Sequence, residues 1–177
     1  MDNQKECINS QKVKDLKNNI KIIGLGCCSK SFIAPFLFVK YITNYKEYDV
    51  YKREKHMSTV LDKFDWYPTL LYSDDINNIL IFKNAGTPVT QTNKPKDIEK
   101  QFNKILSDME SVNVQHNDIK PGEVLVDENN KIYLCDFGWA SINNEMGCGI
   151  EIWNCNNTKK PYGYFNDKNA LQRLKLV

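Results

Sequence analysis

The chain has 177 residues, 41% of them hydrophobic, and a net charge of +2 from 24 basic and 22 acidic side chains. That length fits one domain or one compact two-lobed unit, and the apolar content is too high for a disordered chain. The balanced charge excludes a nucleic-acid binder driven by gross charge, leaving room only for a local patch, and no apolar run approaches a membrane span.

Residues 1–19, MDNQKECINSQKVKDLKNN, are polar and do not read as a secretory signal. They predict a frayed end or a short helix. The six cysteines are Cys7, Cys27, Cys28, Cys135, Cys148 and Cys155. They form no Cys-x-x-Cys pair and only two histidines accompany them, so a zinc site would need scattered ligands. A reduced, cytoplasmic protein is the simpler expectation.

IKIIGLG (20–26) predicts a strand running into a glycine turn. FIAPFLFVKYI (32–42) is apolar and β-prone, and Pro35 within it predicts an edge or a break. Val50, Met57, Val60 and Leu61 recur at helical spacing, which predicts a helix from about Glu47 to Leu61. TLLY (69–72) and NILIF (78–82) read as short strands around the turn-rich SDDINN. KNAGTPVTQTNKPK (83–96) marks a boundary between two halves. The next stretch, 96–112, is amphipathic, with Ile98, Phe102, Ile105, Leu106 and Met109 on one side. VLVDENNKIYLCDFG (124–138) reads as strand, Asp-Asn turn, strand. After Trp139 the chain is rich in Asn and Gly until DKNALQRLKL (167–176), a predicted terminal helix.

The segment that carries chemistry is HNDIKPGEVLVDENNKIYLCDFG, His116 to Gly138. A hairpin holds its two ends side by side, so Asp118 and Asp136 are expected to converge on one cleft. Two such carboxylates suit metal-assisted phosphoryl transfer: one orients or deprotonates a hydroxyl, the other holds the cation. Lys120 can reach the same space and neutralise a migrating phosphoryl group.

This segment resembles the eukaryotic-like protein-kinase superfamily, with its H-R-D-L-x-x-x-N loop and D-F-G. His116, Asp118 and Asp136-Phe137-Gly138 match, and Lys120-Pro121 match the form common in Ser/Thr kinases. Asn117 replaces the usual Arg, and Glu123 stands where the family has its metal-binding Asn. The resemblance implies Asp118 and Lys120 as catalytic residues and Asp136 and Glu123 as ligands of Mg2+, with Mn2+ as a substitute. It gives ATP-contacting roles to Gly24, Gly26 and Ser29, to Lys40 with Glu54 as its partner (Glu47 is the rival), and to backbone from Phe82 through Asn84 to Gly86. It gives His116 a structural place behind the Asp-Phe-Gly turn and sets Cys135 against the nucleotide cavity.

Each role has a plainer reading. Gly24 and Gly26 could form a simple hairpin turn, Lys40 an exposed strand end, and Glu54, among Lys52, Arg53 and Lys55, a solvated helix face.

The implied fold is α+β, kinase-like and two-lobed, with an antiparallel N-lobe sheet plus one helix (20–83) and a much reduced C-lobe (84–177). No A-P-E motif follows Gly138, so a peptide platform is not expected. The tail also resembles that of short kinase-like domains of polysaccharide-modifying enzymes, which keeps a sugar or small-molecule hydroxyl open as substrate beside a protein. The functional expectation is an ATP- and Mg2+-dependent phosphotransferase. The alternative is a pseudokinase that binds nucleotide with little or no transfer. A reduced C-lobe predicts a homodimer or protein partner covering it, with Trp139, Trp153, Tyr162, Tyr164 and Phe165 as cover or interface.

Overall fold

The apolar run at 32–42 forms two strands. In this computed structural model, which describes residues 21–25, 29–44, 49–143 and 167–175, β2 (Ser29–Ile33) and β3 (Leu37–Ile42) flank a turn at Ala34-Pro35-Phe36. The turn is closed by the Ala34 N–H on the Leu37 carbonyl at 2.8 Å. Proline has no N–H to give a ladder, so the turn is where it costs least. With β1 (Lys21–Leu25), β4 (Leu70–Asp74) and β5 (Ile79–Lys83), these strands make an antiparallel sheet in the order β1-β2-β3-β5-β4. Asp74 caps the β4–β5 turn by accepting the N–H groups of Ile76 and Asn77.

Helix α1 (Val50–Leu61) begins later than the expected Glu47, because Asp49 has non-helical backbone angles and its carboxylate accepts the Lys52 N–H at 3.0 Å. Satisfying an orphan N–H in this way defines a helix start. Glu47 lies outside the described residues, as do Gly26, Trp153, Tyr162, Tyr164 and Phe165. Helix α2 (Ile98–Ser111) buries Ile98, Phe102, Ile105 and Met109, the face its spacing predicts, with Leu106 at the margin. The expected hairpin is β8 (Val124–Val126) with β9 (Ile132–Leu134), and Asp127 bonds the N–H groups of Asn129 and Lys131 across its turn. Gln101 of α2 docks this hairpin: its amide donates to the Asn130 carbonyl and accepts the Ile132 N–H, both at 2.9 Å.

Three short strands escaped the periodicity reading, since two residues carry no period. β6 (Thr87–Pro88) joins β8, and β7 (Val114–Gln115) pairs with β10 (Ser141–Ile142). The terminal helix α3 spans Ala170–Lys175 and buries Ala170 and Leu174. One hydrophobic cluster runs from Ile42 and Leu80 of the sheet, through Met57 of α1, Phe102 of α2 and Leu134 of β9, to Leu174. Among the described residues no helix is long and apolar enough to cross a membrane.

Gly86 joins the sheet to β6 at a φ of +116°, and a Cβ there would lie 2.1 Å from the Val126 carbonyl oxygen. Gly86→Ala should therefore lower the unfolding free energy by more than about 1 kcal/mol in urea titration, since both the backbone angle and the space reject a side chain.

Candidate active site

Strand alternation turns Lys40 inward beside Ile42, and it is 3% exposed. Its ammonium lies 2.6 Å from Glu54 Oε2 and 2.7 Å from Asp136 Oδ1. Glu54 sits on the buried face of α1 with Val50, Met57 and Leu61, so the solvated-face reading fails even though cationic residues flank it in sequence. Helix α1 can come this close because Gly138 lacks a side chain: a Cβ there would stand 2.6 Å from Val50 Cγ1. Burial alone would lower the Lys40 pKa, but the Asp136 and Glu54 carboxylates outweigh it and hold the amine charged. Burial pushes Glu54 up to about 7 against the pull of Lys40. Asp136 is held below the usual carboxylate range: burial opposes this, and the Lys40 charge and hydrogen bond prevail.

The hairpin brings the two ends of the motif together. Glu123 and Cys135 extend its stem, the Cys135 N–H donating to the Glu123 carbonyl at 2.9 Å. Asp118 Oδ2 lies 2.6 Å from Lys120 Nζ, which is also 3.6 Å from Glu123 Oε1. Burial raises the Asp118 pKa, partly offset by Lys120. His116 is fully buried with its ring 4.5 Å from that of Phe137. Its Nδ1 accepts the Asp118 N–H, so Nε2 carries the proton and donates to the Cys135 carbonyl at 2.9 Å. Asp136 and Asn117 both adopt left-handed backbone, with φ of 67° and 68°. Asn117 donates to the Trp139 carbonyl and to Ser141 Oγ.

Of the remaining expected residues, Gly24 lies where the β1–β2 register shifts, and Ser29 pairs with Ile42 across β2 and β3. The Phe82 ring is buried against Phe38 and Tyr67. Asn84 holds the β2–β3 turn: its N–H donates to the Phe36 carbonyl at 3.0 Å and its amide to the Ala34 and Pro35 carbonyls. Cys135 is a free thiol whose pKa burial pushes well up. The sequence reading missed Asp167. Its carboxylate accepts the backbone N–H groups of both His116, at 2.6 Å, and Asn117, at 3.0 Å, and so fixes the loop that carries Asp118. Nothing local in the sequence names a partner 51 residues away.

Glu123 Oε2 is buried with no hydrogen-bond partner. Burial, opposed by Lys120 and reinforced by Asp136 and Asp118, lifts the Glu123 pKa to about 7 from an ordinary 4.5. A raised carboxyl pKa means that the folded state holds the proton longer than the unfolded chain, so stability is full below about 4.5 and falls as pH rises through about 7. The shift corresponds to about 3 kcal/mol. Glu123→Gln should remove most of that slope and be the more stable protein above pH 7 by chemical denaturation.

No group of three or more His, Cys, Asp or Glu side chains is arranged to hold a metal among the described residues. Asp136 and Glu123 still offer two hard carboxylates that feel each other's charge, one with an unpartnered oxygen. That set fits Mg2+, which uses one or two protein carboxylates and completes its shell with water and phosphate.

The chain is similar to protein kinases. It is 28% identical over 139 residues, 73% of this chain and 34% of the relative, to Mitogen-activated protein kinase HOG1 of Scheffersomyces stipitis. It is 28% identical over 148 residues, 83% of this chain and 38% of the relative, to Dual specificity mitogen-activated protein kinase kinase sek-1 of Caenorhabditis elegans. The chain thus spans little more than a third of the length of these curated relatives. No family model matches it.

Proposed function

We propose that this chain is a kinase-like phosphotransferase that uses ATP and a divalent cation to phosphorylate a hydroxyl group. The observation that carries the reading is Lys40 held between Glu54 and Asp136, three residues from three separate elements meeting at 2.6 and 2.7 Å. Such a buried cation, oriented by one carboxylate and adjacent to another, suits nucleotide phosphates. In this reading 20–83 and 84–177 are two lobes of one structural unit, and the nucleotide lies between them, near Gly24 and Ser29 on one side and the Phe82–Asn84 connection on the other.

Asp118 accepts the proton of the attacking hydroxyl, and Lys120 offsets charge on the phosphoryl group in transfer. Asp136 and Glu123 would hold Mg2+, which when bound supplies the charge neutralisation between the phosphates. Lys40 must release Asp136 Oδ1 in part for both tasks, while Glu54 keeps it in place. The hydroxyl belongs to a protein, a sugar or another small molecule. The protein acts in the cytoplasm.

Glu123 favours one competing reading. It adds an unpartnered carboxylate oxygen where phosphate charge must sit, which suits a pseudokinase that binds nucleotide without transfer. The deciding assay is transfer of labelled γ-phosphate to a panel of protein and sugar hydroxyls with Mg2+ or Mn2+, beside a thermal shift with ATP. Transfer that disappears in Asp118→Ala supports the enzyme. A thermal shift without transfer, with transfer switched on by Glu123→Asn, supports the binding module. Neither shift nor transfer in any variant would sink both.

A further inference from the structure

The sheet has two apolar faces. The inward one carries Ile42, Leu80 and Phe82, all buried. An antiparallel sheet with its other face in water ordinarily alternates to polar residues there. Cross-strand partners share a face, and the register sets Phe32, Val39, Ile81 and Tyr72 in one outward row across β2, β3, β5 and β4. The adjacent row is Lys30, Tyr41, Ile79 and Asp74. Tyr72 and Tyr41 are 58% and 40% exposed, and Phe32, Val39, Ile79 and Ile81 are only half-buried. A contiguous exposed apolar row of this kind marks an association surface.

We propose that the outward face of this sheet is a self-association surface, on which a second copy of the chain packs about a two-fold axis parallel to the strands and midway between β3 and β5. That operation lays β2 of each copy over β4 of the other, and β3 over β5. Phe32 then meets Tyr72 and Val39 meets Ile81, each contact made twice, as an isologous interface requires.

Charge selects this axis. Lys30 and Asp74 stand at opposite ends of the second row, so the same rotation sets Lys30 of each copy against Asp74 of the other. An axis across the strands would lay β2 on β2 and β4 on β4, leaving both charges without a counter-ion. Asp74 already accepts three hydrogen bonds within its turn, and a carboxylate has room for a fourth. The outward Lys83, paired with Leu37 across β3 and β5, would lay its methylene stem on Leu37 of the other copy.

Sedimentation of the full chain over a range of concentrations should show a monomer passing to a dimer. Lys30→Glu and Asp74→Lys, each alone, should raise the dissociation constant at least about tenfold, because each homodimer then holds two like-charge pairs. Mixing the two variants should restore association, since the mixed dimer holds only opposite pairs. A wild type that stays monomeric throughout overturns the proposal, and so does Lys30→Glu dimerising as well as wild type or a folded mixture that stays monomeric. Should Asp74→Lys unfold for want of its turn cap, Tyr72→Asp, at an exposed position, takes its place. It should keep the wild-type melting temperature and lose the dimer, and a dimer that persists in it overturns the proposal.

Discussion

Lys40→Met should lower the unfolding free energy by about 3–5 kcal/mol, the cost of leaving a buried charge without its partner. Methionine keeps the length of the side chain and removes its charge. The unpaired group is Glu54, which is 3% exposed and has no route to water without moving α1. Asp136 contributes less, because its side chain is 41% exposed and water can solvate it. The loss should depend on pH with a definite sign. Burial already lifts Glu54 to about 7 with Lys40 present, and Lys40 is what holds it down. Without Lys40 the group takes a proton at still higher pH, so the penalty is greatest in base, shrinks as pH falls toward about 7 and is level below it.

The double variant Lys40→Met/Glu54→Leu should recover most of the stability, since apolar residues of similar volume replace a buried ion pair at little cost. Urea titration of the wild type, the single variants and the double variant gives the coupling directly. A Lys40→Met protein within about 1 kcal/mol of wild type at alkaline pH would contradict the geometry.

Asp118→Ala should reduce phosphate transfer by about 10²–10⁴-fold while leaving the fold intact. Asp118 is buried, but its ionic partner Lys120 is 45% exposed, so the lysine returns to water when the carboxylate is removed. The loop itself is held by Asp167 on the backbone of His116 and Asn117, and neither bond uses the Asp118 side chain. The thermal shift with ATP should therefore persist in the variant, because Lys40, Glu54 and Asp136 are untouched. The wild-type rate should fall as pH drops through the Asp118 pKa, which burial raises above the ordinary value. Equal label transfer by wild type and Asp118→Ala would sink the phosphotransferase reading with Asp118 as its base.

Much of the frame is local and was open to reading from residue order. Apolar spacing in α2 marks Ile98, Phe102, Ile105 and Met109 as its buried face. The Asp-Asn turn between β8 and β9 follows from side chains that bond their own backbone, as Asp127 does. The same hairpin sets Asp118 and Asp136 within reach of each other's charge. These features depend on neighbours a few residues apart, and periodicity and turn chemistry act at that range.

What the tertiary structure alone decided are the pairings between distant segments. Lys52, Arg53 and Lys55 gave Glu54 the look of a solvated position, and only the path of α1 across Gly138 shows that it faces Lys40. Asp167 reaches His116 across 51 positions, a contact that no window of sequence contains. The unpartnered oxygen of Glu123 is equally invisible in the letters HNDIKPGEVLVD. Residue types limit which groups can pair. Chain topology then decides which of them lose water together, and burial sets the strength of their charges.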